Sequence, residues 1–250
     1  MQVGVIFASI IVYALAIFLW RRDHTPTYFV ALLAAHLAVL LSPFWQALYV
    51  FRYSEDFPTF YRLGSVGGIQ ALTRLQAYAL PRPVFLGAWA MMLAPLLIFY
   101  LYRHRWWFPG YLTSLLTFIL FVLYHLLVET IGLRQGWWSY QGGELPLGIS
   151  QPVLAALMNG LVSLGVLAAL LLTRRYALGS LLVILLPIPL ALCLLVHGLL
   201  GAPLYTTLLL QAQSWAGAIG LIGTLGLLAS GVHIVASSLE QPREWRQTTI

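Results

Sequence analysis

The chain has 250 residues, 61% hydrophobic and 8% charged, with a formal charge of +6 and a mean hydropathy of +0.88. An ordinary soluble domain is about 25% charged, so a water-facing globular surface and a disordered chain are both excluded, and an all-α polytopic membrane protein is expected. Every basic residue is an arginine and there is a single cysteine, Cys193, which excludes lysine Schiff-base chemistry, a Walker-type phosphate loop and, within one chain, any disulfide framework or cysteine metal cluster.

Seven apolar segments are read as spanning helices: roughly 2–20, 27–51, 83–102, 109–133, 151–173, 178–200 and 206–238. Each is close to the length of about 20 residues that crosses a bilayer. The first has no basic stretch before it and no small-residue cleavage site, so it is read as a retained helix. Arg21-Arg22, Arg103 with Arg105, Arg174-Arg175 and Arg243 with Arg246 follow the odd-numbered segments. The positive-inside rule makes that side cytoplasmic, with the N-terminus outside and the C-terminus inside. Such short clusters at the ends of apolar runs read as membrane topology and not as a nucleic-acid surface. Trp20, Trp106 and Trp107 would form an inner aromatic belt, and Trp45, Trp137 and Trp138 an outer one.

The whole chain, 1–250, reads as one integral membrane domain with a cytoplasmic tail over 239–250, expected in a bacterial cytoplasmic membrane. An extramembrane loop occupies 52–82. Within it, apolar residues at Ile69, Leu72, Leu75 and Tyr78 predict an amphipathic interfacial helix over 68–80. It would be either a surface anchor or a lid over a lipid-facing cavity. Pro95, Pro187 and Pro189 fall inside apolar runs and are expected to kink their helices.

Among the carboxylates, Glu129 alone lies in an apolar run. An ionisable group at membrane depth costs at least about 2.5–3.5 kcal/mol and is tolerated when paired, protonated or facing a cavity. A glutamic acid held protonated there is a candidate general acid; a partner for Arg134 is the plainer alternative. His125 is four residues earlier, on the same helical face, and could share a proton with it. Asn159, Gln211 and Gln213 are further embedded polar candidates. His36, His125, His197 and His233 raise the question of haem or pigment ligation, set against ordinary interhelical hydrogen bonding.

The densest signal is 129–159. Glu129 leaves the membrane beside Trp137, Trp138 and Tyr140, and Leu145-Pro146-Leu147-Gly148-Ile149 leads back toward Asn159. Aromatic faces stabilise cations, so an acid beside them suits protonation of an alkene. The same residues would also make an ordinary interfacial belt. With its matching positions at Glu129, Gly132, Gly136, Tyr140, Gly148 and Ile149, this stretch of about 30 residues resembles the carotenoid biosynthesis membrane-protein family that includes the bacterial carotenoid 1,2-hydratases. It departs from that pattern at Ser150, where proline is expected, and at Asn159, where an aromatic is expected. The resemblance implies a multi-helix membrane enzyme that acts on a long isoprenoid without a redox cofactor. Hydration and cyclisation both remain open.

The leading expectation is therefore an isoprenoid-modifying hydratase or cyclase. Its catalytic residues would be Glu129 and His125, and Trp137, Trp138, Tyr140, Asn159 and Gln211 would bind a lipid-soluble substrate. The rival expectations are a non-catalytic subunit of a homo-oligomer or larger complex, holding haem, quinone or pigment, and a proton-coupled transporter with Glu129 as its relay.

Overall fold

The computed structural model describes residues 2–49, 51–62, 78–141, 145–209 and 214–239. Gln211, Gln213 and the arginines of the C-terminal tail lie outside the described residues. The chain is mostly helical, and six helices are long and apolar enough to cross a membrane. A bilayer core offers the backbone no water, so a spanning chain satisfies its own N–H and C=O groups in helices.

Helix α1 spans Gln2–Asp23. The expected segment 27–51 is split into α2, Thr27–Val39, and α3, Ser42–Tyr49, which meet at 53° and together form a seventh candidate span. Pro43, in the first turn of α3, has no N–H to continue α2. The short strand β1, Phe51–Tyr53, follows. Next come β2, Thr59–Arg62, and β3, Ala79–Pro81, which pair antiparallel. Residues 79 and 80 are thus extended, not helical as expected for 68–80, because Pro81 biases the residue before it away from the helical region. The remainder of that expected helix, 68–77, lies outside the described residues.

Helices α4, Arg82–Leu86, and α5, Ala90–Arg103, make one apolar span interrupted near Gly87. Pro95 lies within α5 without ending it. Helix α6 spans Tyr111–Arg134, and β4, Trp138–Tyr140, pairs antiparallel with β1. Helix α7, Gln151–Thr173, is followed by α8, Leu178–Ile184, and α9, Ile188–Cys193. Pro187 and Pro189 mark the break between these last two, as expected. A π-helix, Leu194–Leu200, continues from α9, with the Gly201 N–H reaching back five residues to Val196 O. Helix α10, Ala202–Leu209, and α11, Ser214–Ser238, replace the single long segment expected over 206–238.

Helix α7 is the axis of the bundle. Some 72% of its most apolar window is buried, against 6% for α1. A helix apolar all round belongs in the interior, and α7 packs on α5, α6, α9 and α11. Gly160 brings α6 close: a Cβ there would lie 2.7 Å from Val122. Helix α1 sits at the periphery, tied by the Ser9 hydroxyl, which donates to Val5 O and receives the Trp89 Nε1–H.

The two ends of the bundle differ. At one end Arg22 and Arg103 both pair with Asp23, Arg22 reaches His104, and Arg174 lies 5.4 Å from the Tyr102 ring centroid. Three of the four arginine clusters thus gather together. At the opposite end stand both strand pairs and the C-terminus of α6. Cys193 is buried, so single-cysteine reporters are clean in a Cys193→Ala background. Arg105→Cys and Arg175→Cys should react with a membrane-impermeant maleimide from one side of sealed vesicles, and Ser139→Cys from the other. Reaction of all three from one side would overturn this arrangement.

Candidate functional site

The site forms where α6 ends. Gly136 has φ 65°, a left-handed conformation that glycine adopts without strain. The Trp137 N–H bonds Gly132 O at 2.9 Å and the Gly136 N–H bonds Leu133 O at 3.1 Å, the paired closure of a Schellman motif. The chain then folds back as β4, and the Trp138 indole lands on the face of α6. It fits because residue 132 has no side chain: a Cβ on Gly132 would collide with the Trp138 ring.

Glu129 is one turn back on the same face of α6. Its Oε2 accepts from Trp138 Nε1–H and from the Tyr140 hydroxyl, each at 3.0 Å. The expected association of Glu129 with Trp138 and Tyr140 is therefore present, through direct hydrogen bonds. Glu129 is partly exposed, and among the described residues it makes no ion pair with Arg134.

Strand β1 completes the aromatic surface. Its register pairs Phe51 with Tyr140 and Tyr53 with Trp138. Alternate residues of a strand share a face, so four aromatic side chains project together, while Arg52 and Ser139 take the other face. Ring centroids lie 5.7 Å apart for Phe51–Tyr140, 6.3 Å for Tyr53–Trp138 and 5.1 Å for Phe51–Tyr53. The Tyr53 hydroxyl is 3.0 Å from Ser42 Oγ. A cleft of about 500 Å³ opens here, walled by Tyr53, Trp138 and Tyr140 with Arg52, Ser139 and Gln151. Glu129 does not line it directly; the indole and phenol that hold its carboxyl do.

Other expected members lie elsewhere. His125 does not bond Glu129. Its Nε2 is 2.9 Å from Ser163 Oγ on α7, and the ring is buried. The four-residue spacing shares a face only approximately, and His125 turns to the α7 seam while Glu129 meets β4. Trp137 offers its carbonyl to the Ser54 N–H and its ring to Trp138, at 6.2 Å, not to Glu129. Asn159 is deeper, where its Oδ1 accepts from His197 Nε2–H at 3.1 Å. The other nitrogen of His197 is 2.5 Å from the Tyr49 hydroxyl. The Trp45 ring, expected in the outer belt, packs on His197 at 4.9 Å. His36 and His233 bond Tyr13 and Tyr111, at 3.1 and 3.0 Å, on different helices. Gln211 lies outside the described residues, and among the described residues no group of three metal-ligating side chains assembles.

Sequence reasoning missed Phe51, Tyr53 and Tyr49. The alternation Phe-Arg-Tyr in β1, facing Trp-Ser-Tyr in β4, is the signal that could have found the first two.

Replacing Gly132 with valine should expel the indole and destabilise the fold by about 1–3 kcal/mol, read as a lower melting temperature in detergent. Burial holds the Tyr53 phenol at about 12, against an ordinary 10, with the Ser42 hydrogen bond working the other way. Between those values the unfolded chain ionises and the folded one does not, so folding stability falls as pH rises through that window. Tyr53→Phe should flatten that decline in thermal melts collected from pH 9.5 to about 12. The chain matches no protein-family model, no curated protein and no solved structure.

Proposed function

We propose that this chain is a membrane-embedded enzyme that protonates an alkene of an isoprenoid or carotenoid-like lipid, with Glu129 as the acid. The observation that carries the reading is the pair of hydrogen bonds from Trp138 and Tyr140 onto one oxygen of Glu129, beside a face of four aromatic rings. Two donors on Oε2 stabilise the carboxylate that remains once the proton has left, and in this reading Oε1 is the oxygen that carries the proton. A partly buried acid flanked by aromatic faces offers what alkene protonation needs: a proton source and a surface that stabilises a cation without trapping it.

The Oε1 proton forms a new C–H bond as the π bond breaks, and the neighbouring carbon becomes cationic against Phe51, Tyr53, Trp138 and Tyr140. Capture by water then gives an alcohol, with a proton of that water returning to Glu129. Alternatively a second double bond closes a ring, and a proton lost from the new cation returns to the carboxylate. Both outcomes are redox-neutral and restore the acid. The resemblance of 129–159 to the carotenoid 1,2-hydratases supports the substrate class. His125, bonded to Ser163, takes no part in this scheme, and Asn159 belongs to a separate interior network.

Seven spans follow if the bent pair α2–α3 crosses as one. The positive-inside rule then sets the end with Arg22, Arg103 and Arg174 in the cytoplasm and Glu129 near the outer leaflet, where an isoprenoid in the membrane would meet it.

The test is Glu129→Gln. Its amide oxygen still accepts from Trp138 and Tyr140, so the fold should persist with an unchanged melting temperature. Turnover should fall by roughly 10²–10⁴-fold. Mass spectrometry of organic extracts from the purified, unheated protein reads it: the wild type should co-purify with a polyprenyl or carotenoid species and its hydrated or isomeric product, and the variant with the unmodified lipid. Equal product in both would sink the mechanism. A haem or pigment absorption band would transfer the case to the non-catalytic subunit reading.

A further inference from the structure

A second crevice, of about 380 Å³, lies at the opposite end of the bundle between α1, α2 and α5. Its walls are aliphatic and aromatic, including Leu15, Phe18, Leu32, Leu93 and Leu97. Leu15, Phe18 and Leu97 are each more than half exposed, so the crevice opens sideways, toward acyl chains. Helix α1 forms one wall, and it is the least buried of the spanning helices.

The mouth is polar and cationic. Arg22 lines it, 5.5 Å from the Tyr100 ring centroid, with Nε on Asp23 at 2.8 Å and Nη2 at 2.8 Å from His104. Arg103 donates to the Asp23 carbonyl at 3.1 Å. Arg21, Arg22, Arg103, Arg105, Arg174 and Arg175 belong to this end of the bundle, and Asp23 is the acid that faces them among the described residues. Asp23 is already shared by two of these arginines and by the Tyr28 hydroxyl. Arg22 and Arg103 share this one carboxylate, so the mouth of the apolar slot carries net positive charge in guanidinium form, the form that matches phosphate oxygens in pairs.

We propose that this crevice is a binding site for an anionic phospholipid, with one acyl chain between α1 and α5 and the phosphate against Arg22. Shape and charge agree only for such an amphiphile: a free phosphate leaves the slot empty, and a neutral lipid leaves the positive charge in excess of Asp23 unmatched. The site is remote from Glu129 and stands independently of the proposed catalysis.

Native mass spectrometry of the delipidated protein in neutral detergent, titrated with phosphatidylglycerol or phosphatidylcholine, tests this. The wild type should take up its first phosphatidylglycerol at roughly fivefold lower concentration than phosphatidylcholine, since an arginine beside the phosphate contributes about fivefold. Arg22→Gln should weaken phosphatidylglycerol by about fivefold. Leu97→Trp, which fills the slot from an exposed position and leaves every charge in place, should abolish the first high-affinity event. Arg105→Gln, whose residue does not line the crevice, should keep the preference within about twofold. Equal uptake of the two lipids by the wild type would overturn the proposal, as would a preference that survives in both Arg22→Gln and Leu97→Trp.

Discussion

The absence of a side chain at Gly132 is the constraint on which the strand end of the molecule depends. The Trp138 ring occupies the space that any Cβ would take. With the indole seated there, its N–H reaches Glu129 one turn away, and β4 is held against α6 in the register that pairs it with β1. That register places Phe51 and Tyr53 beside Trp138 and Tyr140. A helix terminus, a two-stranded sheet and a carboxyl's hydrogen bonds are therefore set by one close approach.

Much of the helical frame was legible because hydropathy over about 20 residues responds to a single large term, the transfer of side chains into hydrocarbon. The spans over 151–173 and 178–200 appear with the expected bounds. The breaks were less visible. Proline marks the one between α8 and α9, and Pro43 marks the bend at Ser42 as well, although mean hydropathy alone makes 27–51 read as one run. The strands escaped because three or four residues are too few for a period of two to stand out, and because Ala79-Leu80 also continued a helical spacing.

At the site, Glu129, Trp138 and Tyr140 were legible because they are neighbours in sequence as well as in space. His125 was not, since an interval of four residues along a helix gives no information about which neighbouring helix each side chain meets. Asn159 and His197 are 38 positions apart. Each is visible alone as a polar residue in an apolar run, but their pairing follows from how α7 and the π-helix cross, which no local pattern records.

The π-helix at Leu194–Leu200 has a consequence for the whole last third of the chain. A wider turn accommodates an extra residue relative to an α-helix, and each residue of an α-helix advances the azimuth by about 100°. This segment therefore works as a phase adjuster. His197 within it meets Tyr49 and Asn159, and Tyr205 beyond it meets Tyr49, with ring centroids 5.7 Å apart. Excising one residue between them would change few contacts directly, yet it would swing α10 by about a quarter turn and carry Tyr205 off its partner. In this stretch a deletion is a rotation, and the chain's tolerance of indels should be lowest where its hydrogen bonding is least regular.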